Sequence, residues 1–172
     1  MVCAVHYMHG KGVVHRDLKP RNVLLMHKLG GVNSNQKDIK LTDFGIAVDQ
    51  VQSPNQQLSE RCGTRGYLPP EMVLVPNRPY SMKCDVYSLG MTFASILQRR
   101  SGLRKGYKFP MLLPDTKLYL IDPLDTLLES MRELEEDRPR IDEIRLHPFF
   151  GEFDYDDKRF ETINWIEMED GN

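Results

Sequence analysis

Apolar residues recur at helical spacing in four stretches, two of them long, and cluster in short runs in two others. Residues 2–9, VCAVHYMH, place Val2, Val5 and either Met8 or His9 on one face, which predicts a short helix stopped by Gly10-Lys11-Gly12. That helix begins too close to the first residue for a cap and a first turn, so it is expected to be the last part of a longer one. Residues 22–26, NVLLM, and 39–44, IKLTDF, are short, apolar and partly β-branched, and they predict a hairpin with a long polar tip. Residues 46–61 are polar and aperiodic, as expected of a surface loop, and 63–72, GTRGYLPPEM, read as turns. From residue 80 the pattern is strongly helical. Ser81 is the expected cap, Val86, Leu89, Phe93, Ile96 and Leu97 form the apolar stripe, and Gly102 is the stop. Asp85 falls among the apolar positions of this helix. A second helix is expected within 122–140, with Leu124, Leu127, Leu128, Met131 and Leu134 as its core stripe, and a last short one within 140–150.

The sum is a mainly α (α+β) domain over residues 1–150, with one small β-hairpin, followed by an acidic tail at 151–172. At 172 residues with 40% apolar content, the chain can bury a core without disulfide or metal staples. Cys3, Cys62 and Cys84 are far apart and include no CxxC pair, so neither a zinc site nor a disulfide framework is expected. Reduced thiols and the lack of a signal-peptide pattern predict an intracellular protein, cytoplasmic or nuclear. A net charge of −2 argues against nucleic acid as a partner, and no apolar run reaches membrane-spanning length.

The run VVHRDLKPRNVLL, residues 13–25, carries the densest candidate chemistry. Asp17, Lys19 and Asn22 lie within six residues between apolar runs, and Asp43-Phe44-Gly45 follows. Farther on come Pro70-Glu71, then Asp85-Val86-Tyr87-Ser88-Leu89-Gly90, Asp137-Arg138-Pro139 and His147-Pro148-Phe149-Phe150. In this order the elements resemble the C-terminal lobe of a eukaryotic-type serine/threonine protein kinase, from about residue 5 to 150.

The resemblance implies phosphoryl transfer from ATP, with Mg²⁺, to a protein serine or threonine. Transfer of this kind asks for positioning and charge neutralisation. Asp17 is then expected to accept or orient the proton of the substrate hydroxyl. Lys19 would neutralise the γ-phosphate, and Asn22 and Asp43 would supply hard oxygen ligands to Mg²⁺. Gly45 is expected to allow a sharp turn after the metal ligand. Leu24 resembles the apolar residue beneath the adenine, a plain core leucine being the alternative. His15 and Phe44 are expected to be packing residues. Asp85 should hold the catalytic loop through backbone N–H groups, since a lone buried carboxylate is costly. Glu71 and Arg138 should form a bidentate ion pair at the end of the activation segment. Lys19 and Thr64 point to serine/threonine rather than tyrosine acceptors.

Several positions depart from the family pattern. The segment between Asn22 and Asp43 is long, with its excess at the polar hairpin tip. Pro69 and Arg65 replace a common alanine and proline. Arg21 stands where many relatives carry a glutamate that binds a basic substrate residue, so no preference for basic residues is expected there. Glu60 lies where many kinases carry an activating phosphothreonine, and it is expected to pair with Arg16 and partly stand in for the phosphate, the alternative being a solvated loop glutamate with Ser59 or Ser53 as the phosphosite. The 172 residues contain no GxGxxG strand pair and no N-terminal lobe ahead of the HRD run. The expectation is a fragment inactive alone, needing an N-terminal lobe or another partner on its open cleft face. The alternative is a non-catalytic binding or scaffold module.

Overall fold

The computed structural model describes residues 1–26, 38–52, 57–100 and 123–150. The expected hairpin tip, the Gly102 stop and the acidic tail fall outside the described residues, as does the middle of the expected 46–61 loop.

Helix α1 spans Val2–Gly10 and buries Val2, Val5 and Met8, the predicted face, with Met8 rather than His9 completing the buried stripe. Strand β1, Val13–Val14, follows directly. After the 15–22 loop, β2 (Val23–Met26) pairs antiparallel with β3 (Asp38–Leu41), Val23 opposite Leu41 and Leu25 opposite Ile39. This is the expected hairpin. The expected loop at 46–61 is partly ordered instead: β4, Val48–Asp49, pairs antiparallel with β1. Two residues are too few to show a period, so this strand left no pattern to read. The Asp49 carboxylate then accepts the Val51 and Gln52 N–H groups, at 2.9 and 3.0 Å, and ends the strand.

Helix α2, Pro70–Leu74, begins at the end of the stretch expected to be turn-rich and poor in helix. Pro70 opens it at a position where a missing N–H costs nothing. Helix α3, Lys83–Arg100, is the long central element. The Ser81 hydroxyl accepts the Lys83 N–H at 3.3 Å, and the Ser81 N–H donates to Glu135 at 2.6 Å. Helix α4, Pro123–Ser130, is shorter than expected. The Ser130 hydroxyl bonds the Leu127 carbonyl at 2.8 Å, and Arg132 Nε bonds that of Leu128 at 2.9 Å. These side chains take up carbonyls at the helix end. Leu134, expected in the core stripe, lies beyond the helix and is 55% exposed. Helix α5, Ile141–Arg145, is capped by Glu143, whose carboxylate accepts the Arg140 N–H at 2.7 Å.

Two apolar clusters meet at α3. Val86 and Leu89 join Val2, Val5, Met8, Leu18, Leu127, Met131, Ile141 and Ile144. Cys84 faces the other way, into Val14, Val48, Leu58, Met72 and Tyr80. Gly90 lets the residue just after α4 approach closely, since a Cβ there would lie 2.9 Å from the Met131 Cβ. The 15–22 loop is therefore gripped from both sides. Leu18 is anchored in the first cluster and Val14 in the second. Among the described residues no helix is long and apolar enough to cross a membrane.

Candidate active site

Asp85 organises the 15–22 loop. It is fully buried in the first turn of α3. Its two carboxylate oxygens accept the backbone N–H groups of His15 and Arg16, both at 2.8 Å. His9 Nε2 lies 3.0 Å from the same oxygen that serves His15. A buried carboxylate carries a desolvation cost that such bonds offset. The loop they hold is bent: Arg16 has φ 66, in the left-handed region that disfavours a side chain.

The bend brings the polar residues together. Lys19 Nζ donates to Asp17 Oδ2 at 2.6 Å and to the Thr64 hydroxyl at 2.8 Å. Asn22 Nδ2 donates to the Asp17 backbone carbonyl at 3.0 Å and lies 3.4 Å from Asp17 Oδ2. Asp17 Oδ1 is buried and makes no hydrogen bond among the described residues. One oxygen is thus fixed by its neighbours and the other is left as an unused acceptor. Burial raises the Asp17 pKa, but the bonds and charge of Lys19 and the nearby Thr64 outweigh it, so the carboxyl sits below its ordinary value. It is ionised at neutral pH.

The next segment is tied on by Asn22 and His15. The Asn22 carbonyl accepts the Thr42 N–H at 3.0 Å. The Asp17 N–H donates to His15 Nδ1 at 3.3 Å, which leaves Nε2 to donate to the Thr42 carbonyl at 3.1 Å. The His15 ring packs on Phe44 with centroids 4.8 Å apart. Asp43, between these contacts, is exposed and also left-handed, with φ 68. The chain turns at Gly45, as expected: the Ala47 N–H donates to the Phe44 carbonyl at 2.9 Å around Gly45 and Ile46. A Cβ at Gly45 would meet only Asp43 Oδ1, at an ordinary 3.7 Å, and the left-handed residue of the segment is Asp43.

The 57–71 segment is fastened at both ends. Glu71 and Arg138 form a bidentate pair, at 2.6 and 3.1 Å, with both side chains buried. Arg138 also donates to the carbonyls of Lys83 and Glu133 and lies 5.0 Å from the Tyr87 ring centre. At the other end Glu60 approaches Arg16 at 3.8 Å while remaining 76% exposed. Gly63 between them is left-handed, with φ 99, and a Cβ there would strike the Arg16 carbonyl at 2.5 Å.

Residues 1–150 match the family model described as the protein kinase domain. The chain belongs to the protein kinase domain family. Among curated relatives, the Aurora kinase of Schizosaccharomyces pombe is 30% identical over 167 residues, covering 89% of this chain and 42% of that protein. Serine/threonine-protein kinase ULK1 of Homo sapiens is 32% identical over 157 residues, 85% of this chain and 15% of the relative. The Aurora kinase of Yarrowia lipolytica is 42% identical over 94 residues, 55% of this chain and 22% of the relative. The chain spans less than half the length of each of these relatives.

Within this kinase domain the structure brings Asp17, Lys19, Asn22 and Thr64 into direct contact and ties them to His15, Phe44 and Asp85. Leu24 is 47% exposed on the hairpin. Among the described residues no group of three His, Cys, Asp or Glu could cage a metal. The donors present fit a different kind of site. Asn22 commits its amide nitrogen to Asp17, leaving its oxygen, and Asp43 presents an exposed carboxylate without a hydrogen bond among the described residues. Two hard oxygens suit Mg²⁺, which keeps waters and phosphate oxygens for its other positions.

Two supporting residues escaped the sequence reading. His9 is the third group on Asp85. Tyr80 is the other: its hydroxyl donates to the Glu60 carbonyl at 2.9 Å, and Arg16 reaches that hydroxyl at 3.4 Å. Burial works against the Arg16 charge, yet the Tyr80 hydroxyl, Cys62 and Glu60 hold its pKa above the ordinary value. Burial also pushes the Tyr80 phenol up, so it stays protonated as a donor. The only sequence trace was an aromatic with a polar tip just before a helix cap.

Proposed function

We propose that the chain is the C-terminal, catalytic and substrate-binding lobe of an ATP-dependent protein serine/threonine kinase. The observation that carries this is the unused Asp17 Oδ1 beside a fixed Oδ2. A buried acceptor with no partner among the described residues is what a substrate hydroxyl would satisfy once a side-chain shift uncovers it. Asp17 Oδ1 would accept that hydroxyl's hydrogen bond and take its proton as the new O–P bond forms. Lys19, held between Asp17 and Thr64, keeps a positive charge at the reacting edge, where negative charge gathers. The Asn22 amide oxygen and the Asp43 carboxylate would hold Mg²⁺, and Leu24 would lie under the adenine. When bound, ATP with Mg²⁺ supplies the phosphoryl group and neutralises its charge. Thr64, donated to by Lys19, sets the distance between acceptor segment and base, which favours a short serine or threonine side chain.

In this reading the exposed hairpin face that carries Leu24 receives an N-terminal lobe, which roofs the nucleotide. The 172 residues alone then bind ATP·Mg²⁺ weakly and transfer phosphate slowly, because positioning contributes effective molarities of about 10⁵ M or more. The test is peptide phosphorylation and nucleotide binding by this chain, alone and joined to an N-terminal kinase lobe. Activity confined to the joined form supports the reading. Efficient transfer by the 172 residues alone contradicts the one-walled cleft. No transfer in either form, with the fold intact, favours the scaffold alternative.

A further inference from the structure

We propose that the acceptor site selects protein segments bearing acidic or phosphorylated side chains beside the serine or threonine. This deepens the kinase reading and rests on it for where the substrate lies. The observation is an imbalance of used and unused charge. Asp17 is bonded to Lys19, Glu71 is committed to Arg138, and Glu60 faces Arg16. Asp43 is reserved for the metal. Arg21, Arg61 and Arg65, by contrast, are all exposed and have no ion pair or hydrogen bond among the described residues.

Their place along the backbone follows from contacts of neighbouring residues already described. Arg21 directly precedes Asn22, whose amide holds Asp17. Arg65 directly follows Thr64, whose hydroxyl touches Lys19. The 61–65 stretch lies against the loop, since Gly63 leaves no space for a Cβ beside the Arg16 carbonyl. A chain of net charge −2 thus carries two exposed arginines next in sequence to residues that contact Asp17 or Lys19, and a third, Arg61, in the stretch that lies against the loop. Guanidinium forks match carboxylate and phosphate oxygens in pairs. The same groups repel arginine or lysine beside the acceptor, so selection has an attractive and a repulsive part.

The experiment measures binding, not turnover. Serine-centred peptides flanked by Asp, phosphoserine, Gln or Arg are titrated against the 172-residue chain at low and high salt. The Asp peptide is expected to bind about tenfold more tightly than the Arg peptide at low salt, with the gap narrowing as salt rises. The double variant R21E/R65E, altered only at exposed side chains, is expected to reverse that order. A phosphoserine peptide above Asp assigns phosphorylated segments as the source of the charge, and equality assigns ordinary acidic ones. Absence of discrimination, preference for Arg, or failure of every peptide to bind overturns the proposal. Phosphorylation by the chain joined to an N-terminal lobe is followed in parallel. Peptide ranking without any transfer sinks the kinase reading and leaves the surface assignment standing, while transfer without ranking does the reverse.

Discussion

Two arginine–glutamate pairs hold the two ends of the 60–71 segment, and they are built on opposite plans. The Glu71–Arg138 pair is buried, bidentate and surrounded by further carbonyl acceptors for the guanidinium. The Glu60–Arg16 pair is a single 3.8 Å approach with its glutamate in water. The first cannot be loosened without stranding a buried charge. The second can be lost at little cost, because water replaces what Glu60 provides. One end of the segment is therefore a fixed anchor, and the end nearer the reacting residues is adjustable.

Breaking the anchor should have the largest effect. Arg138→Ala leaves the Glu71 carboxylate buried and unpaired, and it should lower stability by about 3–5 kcal/mol in a chemical denaturation experiment. Asp85→Asn should cost roughly 2–3 kcal/mol, since an amide cannot accept from the His15 and Arg16 N–H groups on both sides. Hydrogen exchange at those two amides should rise with it. Glu60→Ala, on the loose pair, should cost less than about 1 kcal/mol while increasing exchange in the 57–63 backbone. Equal losses from Arg138→Ala and Glu60→Ala would erase the distinction between the two ends.

The smallest effect is a pH signature at Asp17. Its pKa is lowered in the folded protein, so it adds stability above the unfolded-state value of 3.8, and that stability is lost as pH falls through the folded value. Asp17→Asn should therefore differ from the parent most near pH 7, with the difference shrinking below about pH 4. A difference constant across that range would mean that the Lys19 contact does not hold the charge.

The parts legible in the sequence were those with a period or a motif. The α1 face, the hairpin and the long α3 stripe follow from spacing, and the residues around Asp17 follow from their order along the chain. The rest depended on contacts between distant residues. Strand β4 exists because Val48 finds Val14, which no local pattern announces. Leu134 continues a helical stripe on paper, but α4 ends at Ser130 and leaves it in solvent. The turn at Gly45 was legible, but the left-handed backbone of Asp43 just before it was not, because only the surroundings impose it. His9 and Tyr80 became visible only through Asp85 and Glu60, residues 76 and 20 positions away.

The most direct measurement is the rate of serine phosphorylation by the chain joined to an N-terminal kinase lobe, for the parent and for Asp17→Asn. The asparagine keeps the shape and presents at most one neutral acceptor. The account predicts Mg²⁺-dependent transfer by the parent and a fall of about 10²–10⁴-fold in the variant, with nucleotide affinity little changed. Parent-like turnover by Asp17→Asn would contradict it.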